Sequence, residues 1–228
     1  MVCRAAMTKK RPVWADVLFA CAFRAGAYVV MVALSVWNEA RPAPSLPDVV
    51  VSALPYVPWV HRLNYWAWLL AYAPLALVLL YRAPARWCRY MVTGGLVSIA
   101  RGLCIAMTGL GPPDPAHAGP GTAGHDGWTV FLSLLSPVEI FGRGTAHVYL
   151  TKDLFFSGHT ASTLVLFLYL LPYPRLRWIA LAGHVVAVAS VLLAHIHYGI
   201  DVIGGWAIGF AIFALREWRP REPVRGGC

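Results

Sequence analysis

The chain has 228 residues, of which 59% are hydrophobic and 13% charged, and its formal net charge is +9. A soluble domain carries about 45–50% apolar and about 25% charged residues, so the composition excludes a water-surrounded globule and calls for a bilayer. The basic residues stand in short clusters between apolar runs, not on a basic helix or an aromatic-basic platform, which excludes nucleic acid as a partner and assigns the charge to membrane topology and anionic lipid.

A helix needs about 20 apolar residues to cross the hydrocarbon. The first such run covers roughly residues 13–37. It follows a basic leader of Arg4, Lys9, Lys10 and Arg11, but it is longer than a signal-peptide core and carries Asp16 and Arg24, so an uncleaved span is expected. A proline-rich, irregular connection over about 38–62 leads to a second span near 63–81 and a third near 90–110. Residues 111–127, GPPDPAHAGPGTAGHDG, are expected to lack regular structure. Their His117, His125 and Asp126 read either as a solvated loop or as functional groups. Trp128–Phe141 is a weaker candidate, a partial or interfacial helix broken at Pro137. Three more spans fall near 159–173, 178–195 and 198–215; the fourth span is short, and is expected to begin before Ser157 or to run untilted.

The expectation is therefore one all-α domain over residues 1–228, a polytopic bundle of six transmembrane helices with both termini cytoplasmic. In that orientation thirteen lysines and arginines lie on cytoplasmic segments, against four (Arg41, Arg62, Arg143, Lys152) outside. The positive-inside rule accepts it. The five cysteines form no CxxC pair, so neither a disulfide framework nor a zinc site is expected. The ten tryptophans and ten tyrosines suit interfacial anchoring.

Two stretches carry chemistry, and charge counting puts both on the non-cytoplasmic face. In Asp153-Leu154-Phe155-Phe156-Ser157-Gly158-His159-Thr160, a helix starting near Ser157 offers free backbone N–H groups and a positive dipole end to an anion. Ser157 adds a hydroxyl, Gly158 admits close approach of a phosphate to the backbone, and His159 lies within reach of the bound group. The plain alternative makes Ser157 and Thr160 helix caps and His159 an interfacial side chain. In His195-Ile196-His197-Tyr198-Gly199-Ile200-Asp201, His197 and Asp201 are spaced i, i+4 and share a helical face. The carboxylate can hold one ring nitrogen and leave the other as an outward lone pair, for attack on phosphorus or for general-base work. A purely structural His–Asp pair is the alternative, disfavoured because an ionisable pair beside a span is costly.

These residues resemble the sphingomyelin synthase family, a branch of the type 2 phosphatidic acid phosphatase superfamily. The similarity runs from roughly Pro44 to Leu215 and is strongest in Phe156–Thr160 (FSGHT) and Leu193–Ile203 (LAHIHYGIDVI). Pro44-Ser45-Leu46-Pro47-Asp48 is similar to that family's proline-rich acidic motif, and Arg86 to Pro112, with Arg89, Arg101 and Met107-Thr108, to its third-span motif. The resemblance implies a six-helix bundle with an external site and a His159, His197, Asp201 triad. In it His197, oriented by Asp201, attacks the head-group phosphate; His159 protonates the departing lipid alcohol and then serves the incoming hydroxyl as base. Asp48, Asp153 and Tyr198 fall on or beside the family motifs, and with Ser157, Gly158 and Arg101 they make the expected substrate-binding set. No metal or cofactor is required by this scheme, and the partners are membrane lipids as donor and acceptor, with a homo-oligomer open.

Two departures bear on the substrate. The phosphatase branch has an arginine six residues before its second histidine and a lysine seven residues before an Arg-Pro pair; Val191 and Leu34 stand there instead. Fewer cations suit a phosphodiester, which carries less charge than a monoester, so transfer of a head group from a glycerophospholipid to ceramide or diacylglycerol is the leading expectation. Phosphatase or phospholipase C-like hydrolysis is the alternative. Thr151-Lys152-Asp153 in place of Cys-Gly-Asp, and Gly199 in place of Thr, leave the triad intact but touch head-group and acceptor preference. A transporter or lipid-binding scaffold is a third reading, set against it the position of the triad at one face and not at midplane. Arg101, mid-span, needs a partner: a phosphate or Glu139. Arg24 and Asp16 read as a structural set, His184 as a packing residue, and His195 as pointing away from His197.

Overall fold

The computed structural model describes residues 13–119, 121–122, 124–136 and 150–217. Every element within them is helical: α1 (Val13–Glu39), α2 (Val49–Ala53), α3 (Pro58–Arg82), α4 (Pro84–Met107), a 3-10 turn at Pro115–His117, α5 (Gly127–Leu135), α6 (Gly158–Leu170), α7 (Pro174–Leu193) and α8 (Gly199–Glu217). Five of these, α1, α3, α4, α7 and α8, are long and apolar enough to cross a membrane. The fourth expected span is α6, whose 13 residues reach about 20 Å at 1.5 Å per residue, short of a hydrocarbon core about 30 Å thick. It does not begin before Ser157, because Ser157 is its N-cap. The second and third expected spans start several residues earlier than their apolar runs suggest, since Pro58 and Pro84 each occupy the first turn. There a proline's missing N–H costs nothing and its fixed φ favours the helix. The weak stretch after Trp128 is the nine-residue α5, capped by Asp126; hydrogen bonds, first from the Thr129 hydroxyl, hold the Asp126 carboxyl below its ordinary range. Pro137, Glu139, Arg143 and both chain termini lie outside the described residues.

The long helices alternate in direction, so that the ends of α1, α4 and α7 and the starts of α3, α6 and α8 gather at one end of the bundle. At the other end, Arg89 at the start of α4 pairs with Glu217 at the end of α8 (3.3 Å). Leu79, Trp87, Tyr90, Leu166, Tyr169 and Leu170 are buried there between α3, α4 and α6. Large apolar side chains such as Leu18, Phe19, Leu70, Leu77, Val185, Ile203 and Phe210 face outward. On a soluble protein so many would be a liability; here they are the lipid-facing girdle. Several polar groups inside the bundle are paired: Trp206 Nε1–H donates to His184 Nε2 (2.9 Å), so His184 Nδ1 carries the ring proton and donates to Thr163 Oγ1 (2.7 Å). Arg24 is bonded to Gly94 O (2.5 Å) and to Ser98 Oγ, both on α4, so its partners are on the neighbouring helix and not Asp16.

One close approach positions everything that follows. A Cβ added at Gly205 on α8 would lie 2.9 Å from the Ser157 carbonyl oxygen and 3.0 Å from Thr160 Cβ, distances that backbone atoms cannot relax easily. Only glycine lets α8 press against the start of α6, and the Ser157 amide then donates to the Asp201 carbonyl (3.0 Å). Gly205→Ala is therefore expected to destabilise the protein by about 1–3 kcal/mol through overpacking and to lower its thermal unfolding temperature in detergent. Gly26→Ala is the control, since its Cβ would meet nothing within 4 Å. Equal melting of the two variants would remove the packing claim.

Candidate active site

The start of α6 is built by its cap. Ser157 is wholly buried, and its hydroxyl accepts from the Thr160 amide (3.4 Å) and the Thr160 hydroxyl (3.1 Å). The hydroxyl oxygen thus caps the helix, while the amides of Gly158 and His159 take no protein acceptor among the described residues. Gly158 serves a neighbour different from the one expected: a Cβ there would meet Arg101 Nε at 3.0 Å, so the glycine makes room for the guanidinium. Arg101, 7% exposed, donates from Nε to Phe156 O (2.9 Å) and from Nη2 to Asp153 O (2.5 Å) and Asp153 Oδ2 (3.1 Å). The partner of this mid-bundle charge is Asp153; Glu139, the other expected partner, lies outside the described residues.

The second stretch is equally determined. His197 Nδ1 faces Asp201 Oδ2 at 3.2 Å, and the same oxygen accepts from the Tyr198 amide (2.9 Å). A carboxylate accepts only, so Nδ1 holds the proton and Nε2 is the lone pair. His197 is 4% and Asp201 0% exposed. Asp201 Oδ1 is buried with no hydrogen-bond partner among the described residues. The His159 and His197 rings lie 6.3 Å apart, centroid to centroid, inclined at 67°. Trp68 stands edge-on to His159 at 5.2 Å and is anchored by Nε1–H donation to Ser162 Oγ (2.9 Å). Nε2 of His159 is out of solvent contact and has no hydrogen-bond partner among the described residues.

Two cavities, each of about 170 Å³, share Arg101, Asp153 and His159 in their walls. One opens among the loops and is lined by His197, His195, His117, Thr151, Asn64 and Tyr65. The other runs into the bundle between Tyr28, Met31, Trp68, Tyr72, Val97 and Val165, and Arg24, bonded to Gly94 O and Ser98 Oγ, also stands in its wall. A more polar chamber and a more apolar one thus touch at a histidine, a shape that suits an amphiphile whose head and tails must both be held.

The expected substrate-binding set divides. Arg101 and Asp153 line both chambers and Gly158 lines the apolar one. Ser157, Asp48 and Tyr198 do not appear in either wall. Asp48 Oδ1 caps α2 through the Val51 amide (2.8 Å), and Oδ2 accepts from the Gly199 amide at the start of α8 (2.9 Å). The Tyr198 phenol donates to Gly111 O (2.8 Å) and accepts from the Leu46 amide (3.0 Å); burial pushes its pKa up. Both residues brace the turn that carries His197. Sequence reading missed Asn64, Tyr65 and Trp68, although an asparagine inside an apolar span was a signal. His195, expected to point away from His197, is bonded to Asp114 Oδ2 and Leu54 O and borders the same polar chamber.

Residues 152–218 match the family model described as PAP2 superfamily C-terminal. The chain is 25% identical over 180 residues to human sphingomyelin synthase-related protein 1, covering 75% of this chain and 43% of that protein. It is 27% identical over 186 residues to the Caenorhabditis elegans phosphatidylcholine:ceramide cholinephosphotransferase 1, covering 75% and 39% respectively. It spans about two fifths of the length of the curated relatives it matches. The C-terminal match contains His159, His197 and Asp201 together, and both comparisons support a family of lipid phosphotransferases and phosphatases. Helical throughout its described residues, with five helices long and apolar enough to cross a membrane, the chain resembles the sphingomyelin synthase family, within the type 2 phosphatidic acid phosphatase superfamily, over three quarters of its length.

Proposed function

We propose that this protein moves a phosphorylated head group from a glycerophospholipid diester to a lipid alcohol, ceramide or diacylglycerol, through a phosphohistidine at His197. The observation that carries the reading is the pair of histidines whose rings stand 6.3 Å apart over one polar chamber, with a buried carboxylate behind only one of them. His197 Nε2 attacks phosphorus, and the bond to the diacylglycerol oxygen breaks. Protonated His159 gives its proton to that oxygen, so the lipid leaves as an alcohol. The His197–Asp201 pair stabilises the ring cation that the new N–P bond creates. An incoming hydroxyl then loses its proton to neutral His159 and attacks phosphorus, which restores the starting state. Water in place of the alcohol gives hydrolysis at the same site.

The diester preference rests on charge. Val191 is fully buried, and Leu34 packs against Gly102 on α4; neither position supplies a cation. Arg101 lines the chamber with one side of its guanidinium already paired to Asp153. A half-neutralised arginine and a helix start match a singly charged phosphate better than a dianion. The polar chamber lies at the end of the bundle opposite Arg82, Arg86, Arg175, Arg177 and Arg216, which the positive-inside rule assigns to the cytoplasm, so the site is proposed to face outward.

Purified protein in mixed vesicles, given head-group-labelled phosphatidylcholine or phosphatidylethanolamine with and without ceramide or diacylglycerol, is expected to transfer the label to the acceptor, as read by mass spectrometry. Reaction with phosphatidic acid alone, and with neither diester, would sink the proposal.

A further inference from the structure

Outside the triad, Asp114, His117 and His195 bring their ligand atoms within 4.8 Å of one another. They come from two separate segments, the 3-10 turn of the Gly/Pro-rich loop and the turn that follows α7. Asp114 is the cap of the turn: its Oδ1 accepts from the Ala116 amide (3.1 Å), which leaves Oδ2 for the rings. His117 Nδ1 stands 2.8 Å and His195 Nδ1 2.9 Å from that one oxygen. Three residues make one turn of a 3-10 helix, so Asp114 and His117 meet on one side of it by construction.

The tautomer of His195 makes the cluster informative. Its Nε2 faces the Leu54 carbonyl oxygen at 3.1 Å, and a carbonyl only accepts, so Nε2 carries hydrogen. A neutral ring then presents a lone pair at Nδ1, pointed at a carboxylate oxygen that also only accepts. Two acceptors at 2.9 Å repel unless a proton or a cation lies between them. A ring that gives its N–H to a backbone carbonyl and its other nitrogen to an ion is the common outer-shell arrangement of metal-bound histidine. The geometry is also held in advance. His195 sits at φ 53, in the left-handed region that non-glycine residues seldom occupy. Tyr56 stacks on His117 at 3.7 Å and meets His195 edge-on at 5.5 Å, fixing both rings.

We infer that Asp114, His117 and His195 form a binding site for a divalent transition-metal ion of the zinc type. Two imidazoles and a carboxylate suit zinc, which takes nitrogen and oxygen ligands in a tetrahedral set, whereas magnesium and calcium prefer oxygen alone. His117 and His195 both line the polar chamber, so the fourth position opens toward it. The ion clasps the loop of residues 111–119 to the turn that carries His197 two residues later. The site follows from the cluster's own geometry and does not rest on the proposed transfer reaction. It is also a kind of site that cysteine spacing does not reveal.

The test uses the full chain, purified through a tag without histidine, stripped with chelator and equilibrated with zinc chloride, then analysed for bound metal by mass spectrometry. The wild type is expected to retain about one zinc per chain and, loaded with cobalt instead, to show visible absorption of a tetrahedral centre. His117→Ala and Asp114→Asn are expected to bind at least about tenfold more weakly, while His125→Ala, in the same loop, binds as the wild type does. The side chain of His117 is 42% exposed, so its removal spares the fold; circular dichroism checks this. The proposal is overturned if the wild type takes up no stoichiometric zinc, which makes the cluster a protonated His195–Asp114 pair. It is equally overturned if His117→Ala binds as tightly as the wild type, or if magnesium competes for the site at equal concentration.

Discussion

His197→Ala is expected to abolish head-group transfer, with kcat lower by at least about 10⁴, because the variant has no atom to form the N–P bond and only binding and orientation remain. Asp201→Asn should lose on the order of 10³–10⁴ in kcat with little change in KM. The amide oxygen can still accept from the Tyr198 amide, which the carboxylate holds at 2.9 Å, so the turn keeps its shape. What goes is the negative charge that stabilises a cationic, phosphorylated His197. His159→Ala separates the two histidines. With a donor whose leaving group needs no proton, this variant should still load His197 but unload it slowly, so an intact-mass shift equal to the transferred head group accumulates. Accumulation in His197→Ala instead would assign the nucleophile to the other ring and reverse the mechanism.

The parts of this molecule that were legible in the sequence are those governed by period and by local chemistry. Apolar runs marked the five helices long enough to cross a membrane and the shorter α6 within a few residues, and the i, i+4 spacing of His197 and Asp201 foretold a bond that is present at 3.2 Å. The starts of α3 and α4 were displaced because an apolar count sees hydrophobicity, whereas Pro58 and Pro84 begin a helix by their fixed φ. Long-range partnerships were less accessible. Nothing local distinguishes an aspartate that contacts substrate from one that braces a turn, and Asp48 and Tyr198 do the latter with every polar atom the structure shows engaged. The Asp114, His117, His195 cluster was invisible for the same reason: its members are 78 residues or more apart across the two segments, and only the return of α7 to the loop end brings them together.

Arg101→Lys is the sharper test of how the site is assembled, because the charge survives and the geometry does not. The arginine reaches Phe156 O from Nε and both Asp153 O and Asp153 Oδ2 from Nη2, so one planar fork fixes the four residues that lead into the helix start. An ammonium cannot satisfy those directions from a single point. The start of α6 should then loosen, and His159, one residue past Gly158, should drift from its place opposite His197. A displacement of about 1 Å costs on the order of 10² in rate, so kcat/KM is expected to fall by about that factor. The unfolding temperature should fall far less than in Arg101→Leu, which leaves Asp153 unpaired beside the chamber. If the lysine variant transfers head groups at the wild-type rate, Arg101 acts only as a charge near the phosphate, and the helix start is held in register by the Ser157–Asp201 backbone bond and the Gly205 contact alone.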